Sequence, residues 1–127
     1  MDNPFSLREE LGKLMWNQAG LVRNGEKLQA ALNTIRELTE RVGQMSVKGT
    51  RAFNLGWQQA LDLRNLLLAS DLIARGALLR AESRGAHYRE DFPDTDDVHW
   101  LRNLYLAQAA DGVKHWSEAV KLERLRA

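Results

Sequence analysis

The segment at residues 54–82 does most to limit what this chain can fold into. Its middle, LRNLLLASDLIARGALL, has the composition of a helix and is apolar on almost every side. Leu63, Leu66, Leu67, Leu68, Leu72, Ile73, Leu78 and Leu79 cannot share one narrow stripe. A helix that is apolar all round is buried from more than one direction. A chain of 127 residues makes one domain, and two flanking helices would cover only part of such a surface. The excess predicts a face made for another domain or subunit.

The flanking helices are visible upstream. In SLREELGKLMWNQAGLVR, Ser6 followed by Glu9 has the form of a capping box and predicts a helix over about 7–23. Leu7, Leu11, Leu14, Met15 and Leu21 or Val22 recur along it at helical spacing. A turn at Asn24 to Glu26 leads into a helix over about 26–43. That helix carries Leu28, Leu32, Ile35, Leu38 and Val42 on one face, and Glu26, Lys27, Arg36, Glu37, Glu40 and Arg41 on the other. A glycine-containing link over about 43–53 precedes the long apolar helix, and a polar loop over 83–97 follows it.

Beyond the loop, Asp96 or Asp97 can cap a short helical turn, with Trp100 and Leu101 or Leu104 facing inward. An Asp-Gly pair in ADGVKHW is a tight-turn signal. Trp116, Val120, Leu122 and Leu125 then suggest a terminal strand, hairpinned on the segment before the turn. The fold class is mainly α. Residues 1–127 read as one antiparallel, spectrin-repeat-like three-helix bundle with a polar loop and a short C-terminal β segment or hairpin.

Composition excludes several functions. A net charge of +1, with 28% charged residues, argues against nucleic acid as a partner, because binding its backbone needs a basic face. The chain has no cysteine, hence no disulfide, thiol nucleophile or thiolate metal site. No run approaches the roughly 20 apolar residues of a membrane span, and MDNPFSLREE is no apolar signal segment. The expected setting is soluble and cytoplasmic, without membrane insertion.

The loop ESRGAHYREDFPDTDD has the residue mix of an active site, yet no catalytic set is complete. Ser83, His87 and Asp91 would align only on a helix running through Gly85 toward Pro93, which those residues oppose. His87, His99 and His115 lack the spacing that places metal ligands on one helical face. A calcium loop starting at Asp94 would lack its glycine and its closing glutamate. The glycines form no phosphate-cradling pattern. Arg80, Arg84 and Arg89 lie where cations complement a helix C-terminus, and Arg84 could also fork onto a carboxylate. Asp71 and Arg75 are spaced as a helix-surface ion pair, and the four tryptophans as core anchors. Catalytic, cofactor-binding and metal residues are therefore all assigned as none.

RAESRGAHYREDFPDTDDVHWLRN strongly resembles the C-terminal region of the succinate dehydrogenase/fumarate reductase flavoprotein family, which includes L-aspartate oxidase. The pattern is carried by Glu82, Ser83, Arg84, Gly85, His87, Arg89, Asp91, Phe92, Pro93, Asp96, Asp97, Trp100 and Leu101. Leu11, Met15, Trp16, Gly20, Arg23 and Leu28 match the start of the same domain, and Asn65, Ala69 and Arg80 its central helix. The resemblance implies a non-catalytic three-helix domain packed on a separate FAD-binding domain. FAD then belongs to the parent enzyme and not to this chain, and the piece alone is expected to be inactive. An iron–sulfur subunit is a further partner of such a parent. The loop becomes a polar docking latch built from Arg80, Ser83, Arg84, His87, Tyr88, Arg89 and Asp91. In isolation the excess apolar face would be exposed or would self-associate. Two alternatives are the corresponding domain of L-aspartate oxidase and a free-standing helical interaction module.

Overall fold

The computed structural model describes residues 2–50 and 52–123. Three long helices, α1 (Pro4–Ala19), α2 (Gly25–Gln44) and α3 (Leu55–Leu79), pack pairwise against one another. Arg41 near the end of α2 pairs with Asp2 and Glu10 at 2.8 and 2.9 Å, so α1 and α2 run antiparallel. The start of α2 lies against the segment that leaves α3, so that pair is antiparallel too.

The core is a main apolar layer with a smaller cluster of Ala19, Leu28 and Ala77 beside it. Leu7 and Leu11 of α1 meet Leu32, Ile35, Leu38 and Val42 of α2, and Leu63, Leu67 and Ala74 of α3. A large apolar side chain, fully buried, contributes about 1.5–3 kcal/mol relative to exposure. All five apolar residues expected on the inner face of α2 are buried.

Helix ends differ from the sequence expectation for local reasons. Asn3, not Ser6, caps α1, because its side chain accepts from the amides of Phe5 and Ser6 and Pro4 sits pre-organised at the first helical position. Glu9 pairs with Lys13 at 2.7 Å instead of closing a capping box. At the other end α1 stops at Ala19, not near residue 23. A Cβ at Gly20 would lie 2.3 Å from the Trp16 carbonyl oxygen, so the chain turns there on a residue without one. Leu21 and Val22 are consequently exposed and add nothing to the core. Asn24 caps α2 directly, accepting from the Lys27 amide at 2.8 Å. Asn54 caps α3 and also donates to the Lys48 and Thr50 carbonyls, which pins the preceding link.

Two small sheets complete the fold. β1 (Val22–Arg23) pairs in parallel with β2 (Tyr88–Arg89), a pairing with no periodic signal in so short a run. A four-residue helix, α4 (Asp97–Trp100), is capped by Asp96. The expected hairpin is present as β3 (Arg102–Ala109) and β4 (Gly112–Ala119). Leu106 of β3 lies over Gly76 of α3. Trp116 faces outward, stacked on Tyr105 with ring centroids 5.3 Å apart, and Leu122 is exposed beyond the strand. Leu125 lies outside the described residues.

The tryptophans are not core anchors. Trp16 and Trp116 are exposed, and Trp57 and Trp100 are half-buried, because the core is filled by aliphatic side chains of the three helices instead. On α3 the core claims Leu63 and Leu67, while Leu66, Leu68 and Ile73 stay 38%, 53% and 53% exposed. No described helix is long and apolar enough to cross a membrane.

Candidate functional site

α3 ends at Leu79, and Arg80 turns the chain into extended backbone. In extended chain, residues two apart share a side. Arg80, Glu82 and Arg84 therefore converge. Both arginines bond to the fully buried Glu82 carboxylate, Arg84 Nε at 3.0 Å and Nη2 at 3.2 Å. The Asp96 amide adds a third donor group at 2.9 Å. Burial by itself would raise the Glu82 pKa, yet the Arg84, Asp96 and Arg80 donors together hold it below the ordinary value. Arg80 also donates to the Trp100 and Arg102 carbonyls, with its guanidinium 5.1 Å from the Trp100 ring, so this cluster fastens α4 and β3 to the end of α3.

The same spacing recurs at Arg89 and Asp91. Arg89 is 3% exposed and lies under the C-terminus of α3, donating to the carbonyls of Ala77, Leu78 and Arg80. These carbonyls lack helical partners, and a cation also complements the helix dipole there. Asp91 grips the guanidinium at 2.9 and 2.6 Å, and its other contact is the Gly25 amide at 2.9 Å, at the start of α2. The Arg89 bond, with the Gly25 amide adding to it, pulls the Asp91 carboxyl down to about 2. One ion pair thus joins the negative end of α3 to the positive end of α2.

His87 makes a third tie. Its Nδ1 lies 3.1 Å from Arg23 Nη1 and its Nε2 lies 3.1 Å from the Arg80 carbonyl. Arg23 can only donate, so Nδ1 accepts and the proton sits on Nε2. Arg23 Nε in turn caps the end of α1 through the carbonyls of Ala19 and Gly20. Ser83 supports the turn from within, accepting from the Arg89 amide and donating to the Phe92 carbonyl at 2.7 Å. Gly85, at φ +59, allows the tight reversal between Arg84 and His87.

The seven predicted latch residues run from the C-cap of α3 at Arg80 through β2 to Asp91, and they have different surroundings. Ser83 and Arg89 are buried, Arg80, Arg84 and His87 are half-buried, and Tyr88 and Asp91 reach the surface. Ser83, His87 and Asp91 do not form a triad: the histidine faces arginine and carbonyl, and Asp91 faces Arg89 and α2. The arrangement is a junction of helix ends rather than a reaction centre. Sequence reasoning gave no such role to Arg23, Glu82, Asn24 or Glu90, although Asn24 bonds to Glu90 across the same junction. The alternation Arg-x-Glu-x-Arg was the available signal for Glu82.

Residues 8–127 match the family described as fumarate reductase flavoprotein C-term. The chain belongs to that family. It is 41% identical over 103 residues to a subunit of the CoM/CoB fumarate reductase of Methanothermobacter marburgensis, covering 81% of this chain and 19% of the relative. It is 36% identical over 116 residues to an uncharacterized FAD-dependent oxidoreductase of Methanocaldococcus jannaschii, covering 91% and 20%. A solved quinol–fumarate reductase with menaquinol molecules superposes with a TM-score of 0.90 at 30% identity, covering 99% of this chain and 22% of that one. The chain therefore spans about a fifth of the length of the relatives it matches. It is a domain of succinate dehydrogenase/fumarate reductase-type flavoprotein subunits.

Proposed function

We propose that this fumarate reductase flavoprotein C-terminal domain acts by docking: it supplies no catalytic group and packs against the FAD-binding part of its parent oxidoreductase. The observation that carries the reading is the bare side of α3, where Leu66 and Ile73, seven residues apart on one helix face, stay exposed in a chain that spans a fifth of its relatives. Within the loop, Ser83, Arg89, Asp91 and Arg80 brace the structure, while Tyr88 and the outer edge of Arg84 and His87 meet the neighbour. Tyr88 stands opposite Val22 in the β1–β2 pair, and both are exposed, which lengthens the apolar surface beside the polar contacts. FAD lies in the rest of the parent, the substrate is a small dicarboxylate such as succinate or fumarate, and an iron–sulfur subunit is the onward partner.

The test uses the full-length flavoprotein. Leu66→Glu with Ile73→Glu is expected to raise protease sensitivity at the domain boundary and to weaken flavin retention, with Arg84→Ala a milder version of the same defect. Unchanged proteolysis and flavin content in all of these variants would contradict the reading.

A further inference from the structure

His87 is ringed by cations. Arg23 faces it from β1, Arg80 from the end of α3 and Arg89 from β2, while α3 and β3 themselves contribute uncharged neighbours such as Ile73, Gly76 and Leu104. The nearby carboxylates are already engaged, Glu82 by Arg80 and Arg84 and Asp91 by Arg89. A neutral imidazole suits this place because it offers Nδ1 as an acceptor to Arg23 and Nε2–H as a donor to the Arg80 carbonyl. A protonated ring keeps the second bond and turns the first into a clash of N–H against N–H with like charges.

We propose that His87 is a proton-operated latch: neutral, it ties Arg23 and the end of α1 to the loop, and protonated, it expels Arg23 and unties β1 from β2. Burial holds the His87 pKa below its ordinary value, with Arg23, Arg89 and Arg80 adding to the effect and the Arg80 carbonyl opposing it. The folded protein therefore binds this proton less readily than the unfolded chain, so the latch is whole above the ordinary histidine range and fails as pH falls below it. The released parts are Arg23's grip on the Ala19 and Gly20 carbonyls and the bond from the Glu90 amide to the Arg23 carbonyl at 2.9 Å. All of its parts lie within this chain, so it can be read without a docked partner.

The experiment is imidazole nitrogen NMR on this chain from pH 8 to 4, with amide-exchange protection read at Glu90. The expected result is an Nε2–H tautomer at neutral pH, titration below the ordinary range, and loss of Glu90 protection approaching, and not exceeding, about tenfold per pH unit across that titration, the limit for one proton. His87→Gln keeps one donor and one acceptor without titrating, so its Glu90 protection should stay flat over the same range. An Nδ1–H tautomer, titration at or above the ordinary value, or Glu90 protection that ignores His87 protonation would each overturn the latch. If the glutamine variant does not fold, the tautomer and titration of the wild-type ring decide the matter alone.

Discussion

The leucine core of the bundle and the loop that follows α3 are both buried, and opposite chemistry holds them. In the core, Leu7, Ile35, Leu38 and Leu63 are 1% exposed and pack among apolar neighbours. In the loop, Glu82 and Arg89 are 0% and 3% exposed, and each holds a geometrically matched partner of opposite charge. Hydrophobic burial is non-directional, so the core sets how stable the bundle is and tolerates swaps that conserve volume. Charge-assisted hydrogen bonds are directional, so the loop sets how three helix ends meet: α1 through Arg23, α2 through Asp91 and α3 through Arg89.

That contrast can be broken by substitution. Leu63→Ala should lower the unfolding free energy by about 3 kcal/mol in denaturant titration, while Leu63→Met should cost less than about 1.5 kcal/mol. Arg89→Met should cost about 2 kcal/mol by stranding helix-end carbonyls, and Arg89→Lys should recover little, since an ammonium cannot grip Asp91 with two donors and still reach three carbonyls. Full rescue by lysine would show that charge alone, without geometry, holds the loop. Ser83→Ala should cost about 1 kcal/mol, read in the same titration, because the Arg89 amide and Phe92 carbonyl lose their shared hydroxyl.

The smallest effect is in acid. With its folded pKa near 2 against an ordinary value of 3.8, Asp91 contributes stability that is complete above the ordinary value and is lost as pH falls through about 2. The melting temperature of Asp91→Asn should accordingly fall less steeply between pH 4 and 2 than that of the wild type. Parallel curves would place the acid sensitivity elsewhere, with Glu82 the next candidate.

What was legible in the sequence follows the same division. The inner face of α2, the surplus on α3 and the Asp-Gly hairpin are written in periodicity and turn chemistry, and all three are present in the fold. Asn3 over Ser6 was a contest between two valid caps, decided by Pro4, whose fixed φ starts the helix earlier. The β1–β2 pair and the grip of Arg89 on α3 depend on tertiary geometry, and no local spacing encodes them. Trp16 and Trp116 misled because an aromatic at helix or strand spacing looks the same whether its face is buried or exposed.

The central claim is that the bare face of α3 is the dock for the rest of the flavoprotein. Hydroxyl-radical footprinting of Leu66 and Ile73, in this chain alone and in the full-length flavoprotein, tests it most directly. Docking predicts strong labelling of both in the isolated chain and protection of both in the whole protein, with the buried Leu63 silent in each. Equal labelling of Leu66 and Ile73 in the two proteins would contradict the account.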